Sequence, residues 1–239
     1  LPALVSLAQS KDIEVARLAC GAIANVAEDV ETHALIAERG GGTFMIGLMN
    51  HTNLDVHREA SRAIANLLTS FDNHSEIIQD GIPGLVHLAL SADEECQYNA
   101  ALAFRKLAPN LAAHVSIIYK GGLQSLFFLV QVRDLKIQRQ AATALRDLSA
   151  NKAHKLKFMQ EGGMQAMVTL ARDDSLELRC LSVATLRHLS LDDRIKRPMV
   201  EEGALGPILR CATSRNGDLQ CQCAGVLANC SENMENQIS

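Results

Sequence analysis

Asn151-Lys152-Ala153-His154-Lys155-Leu156-Lys157-Phe158-Met159-Gln160-Glu161-Gly162 is the stretch on which the fold turns. It closes on a glycine, with an apolar residue, Phe158, four positions earlier. The same pairing recurs along the chain: Ile36 with Gly40, Ile77 with Gly81, Ile117 with Gly121 and Met199 with Gly203. The glycines stand 41, 40, 41 and 41 residues apart. A fixed period of that length, with no long insertion, is the signature of a solenoid of stacked helical units. After each glycine runs a short apolar helix, as in Ile82-Pro83-Gly84-Leu85-Val86-His87-Leu88. Its proline suits a first turn, because the missing N–H would have no intrahelical partner there. Leu1-Pro2-Ala3-Leu4-Val5 reads as the same helix without its glycine.

Further along each unit, Asp12, Asn53, Asp93, Asp134, Ser175 and Asn216 share one register. All are residue types whose side chains accept a hydrogen bond from the free N–H groups of a helix start. A third, longer helix is expected from each. Within it Val15, Val56, Cys96, Ile137, Leu178 and Leu219 are equivalent, as are Ala19, Ala60, Ala100, Ala141, Ser182 and Cys223. Two more rows follow: Ile23, Ile64, Phe104, Leu145, Leu186 and Leu227, then Val26, Leu67, Leu107, Leu148, Leu189 and Cys230. Small residues where backbones approach, and large ones where volume must be filled, are what stacked helices require.

A glycine after a short first helix, a second helix, and a third helix ending as Ala22-Ile23-Ala24-Asn25-Val26-Ala27 together resemble an armadillo repeat. The resemblance covers the whole chain and implies an all-α, right-handed solenoid of about six repeats with three helices each. The expected boundaries are 1–28 (partial, lacking its first helix), 29–69, 70–109, 110–150, 151–191 and 192–232, with 233–239 opening a further, truncated repeat. HEAT repeats have similar length but usually two helices per unit. No polar end cap is visible, so a longer parent protein is expected.

Composition agrees with that class. Apolar residues make up 48% of the 239 positions, yet aromatics are 3% and tryptophan is absent, a balance that suits close-packed helices better than sheets. The net charge of −4 argues against a general nucleic-acid binder. Cys20, Cys96, Cys180, Cys211, Cys221, Cys223 and Cys230 sit among apolar helical positions without a disulfide pattern. Reduced thiols imply an intracellular protein, cytoplasmic or also nuclear. No apolar run approaches the ~18 residues that would span a bilayer.

The functional face follows from the helical wheel, on which each residue advances ~100°. With Asn25, Asn66, Lys106, Asp147, His188 and Asn229 as the reference position, the apolar rows fall on one side. The reference position and those one, four, seven and eight residues before it fall on the other. In armadillo proteins the third helices line a concave groove, where an asparagine at the reference position bonds the main chain of an extended ligand. The resemblance carries that role to Asn25, Asn66 and Asn229, whereas Lys106, Asp147 and His188 depart from it. Four residues earlier, where importin-α-like members place tryptophan, this chain has Gly21, Arg62, Leu102, Thr143, Ala184 and Gly225. An import receptor for basic signals is disfavoured.

The same face carries Arg17, Arg58, Arg62, Arg105, Arg139, Arg146 and Arg187 besides Lys106, with only Glu59 and Asp147 opposing them at those positions. Guanidinium groups bind carboxylates through paired hydrogen bonds, so an extended acidic peptide is the expected ligand, in a mode closer to β-catenin-like and vacuolar-adaptor-like members. The alternative for each arginine is a local pairing with Glu or Asp.

Other constellations carry less. Cys221-Gln222-Cys223 places its two thiols ~200° apart on a helix, which opposes a metal site. The eight histidines read as scattered, with His188 alone at a reference position. Gly40-Gly41-Gly42 lacks the spacing and the lysine of a phosphate-binding loop. No catalytic motif, metal or cofactor is expected. A protein-binding scaffold or adaptor is therefore the leading reading. A regulatory or substrate-targeting region of a larger enzyme, and a scaffold that self-associates through uncapped ends, are its competitors.

Overall fold

The computed structural model describes residues 2–8, 10–51 and 53–233. Of the segment expected to open a further repeat, residues 234–239 lie outside that set. The chain divides into two compact units, Leu1–Ser125 and Leu126–Ser239, and among the described residues every regular element is helical.

In the first unit the helices are α1 (Pro2–Ala8), α2 (Ile13–Val26), α3 (His33–Glu38), α4 (Gly41–Leu48), α5 (Leu54–Leu67), α6 (His74–Glu76), α7 (Ile82–Ala89), α8 (Glu94–Leu107) and α9 (Leu111–Tyr119). Helix α10 (Gly122–Leu129) contains the division. The second unit continues with α11 (Leu135–Ser149), α12 (Lys155–Gln160), α13 (Gly163–Leu170), α14 (Leu176–Ser190), α15 (Asp193–Glu201), α16 (Leu205–Ala212) and α17 (Gly217–Ser231). The long third helices stack on one another, α2 on α5 and α5 on α8 in the first unit, α11 on α14 and α14 on α17 in the second. Helices α2, α5, α8, α14 and α17 also pack on the short helices that precede them, α1, α4, α7, α13 and α16.

All six expected caps are made. Asp12 accepts from the backbone N–H groups of Glu14 and Val15, and Asn53 from those of Asp55 and Val56. Asp93, Asp134, Ser175 and Asn216 each accept from the residue three places on. A cap of this kind stabilises its helix by roughly 1 kcal/mol. Beneath the caps the apolar rows form the core: Ala60, Ala100 and Ala141 let neighbouring helices approach, while Ile64, Phe104 and Leu145 fill the volume, all without solvent exposure. Three row members depart from this. Val26 is 37% exposed, and Val15 and Leu227 are half-buried. They lie on α2 and α17, each of which stacks against only one other third helix among the described residues.

Four of the five periodic glycines, Gly40, Gly121, Gly162 and Gly203, hold φ between 70° and 90°, the left-handed region where a side chain is strained. Gly81 differs. The chain from Ile77 to Gly81 stays helical with a widened, π-type turn and runs directly into α7. Pro83 has no N–H to offer the carbonyl of Gln79, and Lys120 Nζ supplies the missing donor at 2.6 Å. Gly81 is required for closeness instead, since a Cβ there would lie 2.9 Å from Ile77 Cγ2.

A polar register that sequence reading passed over holds the repeats closed. The histidines are not scattered: His33, His74 and His114 stand 41 and 40 residues apart, and Lys155 and Lys196 continue the row at 41 and 41. All five are buried. The imidazole Nε2 groups donate to the carbonyls of Ala27 (2.8 Å), Leu68 (3.0 Å) and Ala108 (2.7 Å), six residues back at the end of the preceding third helix. Those carbonyls lie where an α-helix leaves its acceptors unsatisfied. Lys155 reaches forward to the carbonyl of His188, and Lys196 pairs back with Asp193 and forward with Glu232 at 2.7 Å each.

Candidate functional site

The reference residues all sit in the last turns of the third helices, and four of them bridge to the helix before. Asn66 Nδ2 donates to the carbonyl of Ala24 at 3.3 Å, and Lys106 Nζ to that of Ala65 at 2.5 Å and to Thr69 Oγ1 at 2.8 Å. In the second unit His188 Nδ1 donates to the carbonyl of Arg146 at 3.1 Å, and Asn229 Nδ2 to Ser190 Oγ at 2.8 Å. Ala24, Ala65 and Arg146 each stand one residue before a reference position, so one geometry is used three times. Burial pushes the Lys106 ammonium and the His188 imidazole below their ordinary pKa values.

After these bonds Asn66 and Asn229 each retain the carboxamide oxygen and a second N–H, a donor and acceptor pair matched to a peptide backbone. Asn25 is placed otherwise: its Oδ1 accepts from Arg62 Nη1 at 2.8 Å, which leaves its amide N–H groups as donors. Asp147 has no donor, and its Oδ1 accepts from Arg146 Nε and Nη2 at 2.9 and 2.8 Å.

The band of cations is more nearly balanced than the third-helix face alone indicates. Arg17 pairs with Glu14 at 2.8 Å. Arg58 pairs with Asp55 at 3.0 Å, Asp93 at 2.7 Å and Glu95 at 3.8 Å, and holds the Asp93 carboxyl below the usual carboxylate range. Arg62 pairs with Glu28 at 3.0 Å and Glu59 at 2.7 Å. Several of these acids occupy helix starts or ends in neighbouring repeats, outside the positions compared on the wheel. Arg105 is exposed near the end of α8. In the second unit, among the described residues, Arg146 pairs with the carboxylate of Asp147 alone, Arg139 meets Glu177 at 3.7 Å, and Arg187 donates to the uncharged Gln222 Oε1 at 3.1 Å. The missing tryptophan positions explain how Arg187 lies: a Cβ on Gly225 would stand 2.6 Å from its Nε, so the bare glycine lets the guanidinium cross α17.

Two other sequence features resolve structurally. Glu76 Oε2 accepts from the Thr43 N–H at 3.0 Å at the start of α4, and a Cβ on Gly42 would stand 2.2 Å from that oxygen. The glycine run thus admits the protein's own anion to a helix start. Cys221 is exposed while Cys223 is fully buried, and burial raises the Cys223 thiol to about 11 and the Cys96 thiol to about 12. Among the described residues no cluster of metal-binding side chains forms, and no helix is long and apolar enough to cross a membrane.

With helices in threes and a polar row ending each third helix, the architecture can be compared with known proteins. The Armadillo/beta-catenin-like repeat family matches residues 1–28. A computationally designed armadillo repeat protein for modular peptide recognition superposes with a TM-score of 0.89 at 23% identity, covering 96% of this chain and 99% of that one. The fold is an armadillo repeat array. An engineered protein superposes on the array with a TM-score of 0.86 at 25% identity, covering 96% of each chain. A designed armadillo repeat protein in complex with the peptide (KR)4 gives 0.86 at 22% identity, covering 96% of this chain and 98% of its own. No curated protein sequence matches the chain.

Proposed function

We propose that residues 1–239 act as one armadillo array that binds an extended segment of a partner protein along the last turns of its third helices, as a non-catalytic scaffold or adaptor. The observation that carries this reading is the pair of carboxamides at Asn66 and Asn229. Each is fixed by one bond to the preceding helix and keeps a donor and an acceptor for a ligand main chain. Fixing the side chain beforehand lowers the ordering cost of binding. The designed proteins of the same fold, made for modular peptide recognition and solved with (KR)4, support a peptide as the ligand class.

The acidic preference belongs mainly to the second unit. In the first unit the guanidiniums of Arg17, Arg58 and Arg62 already hold carboxylates, whereas Arg187 has an uncharged partner and Arg139 a distant one. Fluorescence anisotropy with labelled octapeptides, one alternating Asp and Glu and one (KR)4, tests both parts. The acidic peptide is expected to bind more tightly and to weaken with salt. Arg139→Glu with Arg187→Glu should lower its affinity by about tenfold or more, and Asn66→Ala with Asn229→Ala should weaken both peptides. Tighter binding of (KR)4 would overturn the acidic preference, and insensitivity of both peptides to the asparagine pair would overturn the groove.

A further inference from the structure

Away from the reference row, an open cleft of about 290 Å³ in the second unit is lined by the turns that follow α13 and α16 together with residues of α14 and α16. Three guanidiniums line it, from Arg172, Arg179 and Arg210. The reference-face arginines Arg17, Arg58, Arg62, Arg139 and Arg146 each have a carboxylate within 4.0 Å. Among the described residues no such pair reaches any of the three in the cleft. Three like charges with no carboxylate within ion-pair distance repel one another, so the arrangement favours an anion that enters from outside.

We infer that this cleft binds a phosphate group. Arg179 is held in place beforehand: its Nη1 donates to the carbonyls of Asp173 at 2.7 Å and Asp174 at 2.9 Å. Both Nη1 hydrogens are thereby used, and the Nε–Nη2 edge remains as the fork that grips two oxygens of one anion. Ser214 adds a hydroxyl donor, because its Oγ accepts from the Asn216 N–H at 3.2 Å and its own hydrogen is left over. Two carboxylates also line the cleft. That of Asp173 is occupied by the Ser175 N–H at 2.8 Å, and Asp174 is exposed, so three cations outnumber two anions.

The donor count selects the ligand. A carboxylate offers two oxygens in one plane, too few for the three guanidiniums and the hydroxyl that line the cleft. A phosphate monoester offers three oxygens and nearly two charges. The same phosphate group chemistry is offered by a phosphorylated side chain and by free inorganic phosphate.

Titrating the full chain at fixed ionic strength with inorganic phosphate, O-phosphoserine and acetate, followed by the amide resonances of Thr213 and Ser214, decides the matter. Saturable shifts with both phosphate compounds and none with acetate are expected. Tighter binding of O-phosphoserine identifies a phosphorylated side chain as the source, and tighter binding of inorganic phosphate identifies the free ion. Arg172→Gln with Arg210→Gln, both exposed and so compatible with folding, should weaken phosphate by about tenfold or more, while Arg139→Gln with Arg187→Gln should leave it unchanged. Shifts that never saturate, equal saturation by acetate, or a loss confined to the Arg139 and Arg187 pair would overturn the assignment.

Discussion

The two units close the same gap with different chemistry. In the first, His33, His74 and His114 reach back six residues to the carbonyl end of the helix just completed. In the second, Lys155 and Lys196, in the same register, reach forward 33 and 36 residues to the last turn of the third helix still to come. An imidazole is short and rigid enough to staple a turn. An ammonium on a four-carbon stem spans a repeat, at the cost of taking a charge out of water. Lys155 is only 4% exposed, and burial lowers its pKa. The carbonyl end of a helix offsets part of that cost through its dipole.

The contrast is broken most sharply by deletion. His74 uses both ring nitrogens, donating to Leu68 and accepting from Asn110 Nδ2 at 3.2 Å. His74→Ala should therefore lose about 2–4 kcal/mol in urea unfolding, from the cavity and the stranded carbonyl together. Lys155→Met should change stability by about 1 kcal/mol or less, because the lost bond is set against the removed desolvation. A larger loss for Lys155→Met than for His74→Ala would show that the buried ammonium is a strong contributor and reverse the comparison.

A smaller effect tests whether the units are alike where their chemistry agrees. Asn53→Ala in the first and Asn216→Ala in the second should each cost about 1 kcal/mol by thermal or urea unfolding. Unequal losses would place the difference in the helices themselves and not in the buried row.

The smallest effect is a pH dependence in which stability rises with pH at both ends of the scale. Asp93 has its pKa lowered by Arg58, so its contribution is present above the unfolded value of ~3.9 and is lost as pH falls through the lower, folded value. Lys155 has its pKa lowered by burial, so between that value and ~10.4 the unfolded chain binds more protons and stability rises with pH. Between pH 8 and 10 the urea midpoint of the wild type should rise relative to that of Lys155→Met, a difference in which the opposing titration of the buried thiols, common to both, cancels.

What could be read from the sequence was what acts within one helix. The six caps bond residues two or three places away, and the alanine row faces a neighbour of identical pattern, so a period of 40 or 41 was enough to find both. The local arginine partners, Glu14, Asp55, Glu59 and Asp147, fall within the pairing that the sequence left open, whereas the long-range ones were missed because Asp93 lies 35 residues beyond Arg58 and Glu28 lies 34 before Arg62, distances no single wheel displays. The buried row was missed for another reason. It changes residue type midway, from imidazole to ammonium, and only spacing links its members. Gly81 kept its place in the period but changed its task, because Pro83 removes a donor that Lys120 restores from another repeat.

The polar row at the ends of the third helices also bears on how the chain reaches its native state. Its bonds join residues 37 to 42 positions apart, from Lys106 with Thr69 to Asn66 with Ala24, so each closes a loop of about one repeat. Loop-closure entropy grows only slowly with length, and it is met here in equal, modest steps. Assembly can then start at any repeat and spread to its neighbours, as a zipper closes from any engaged tooth.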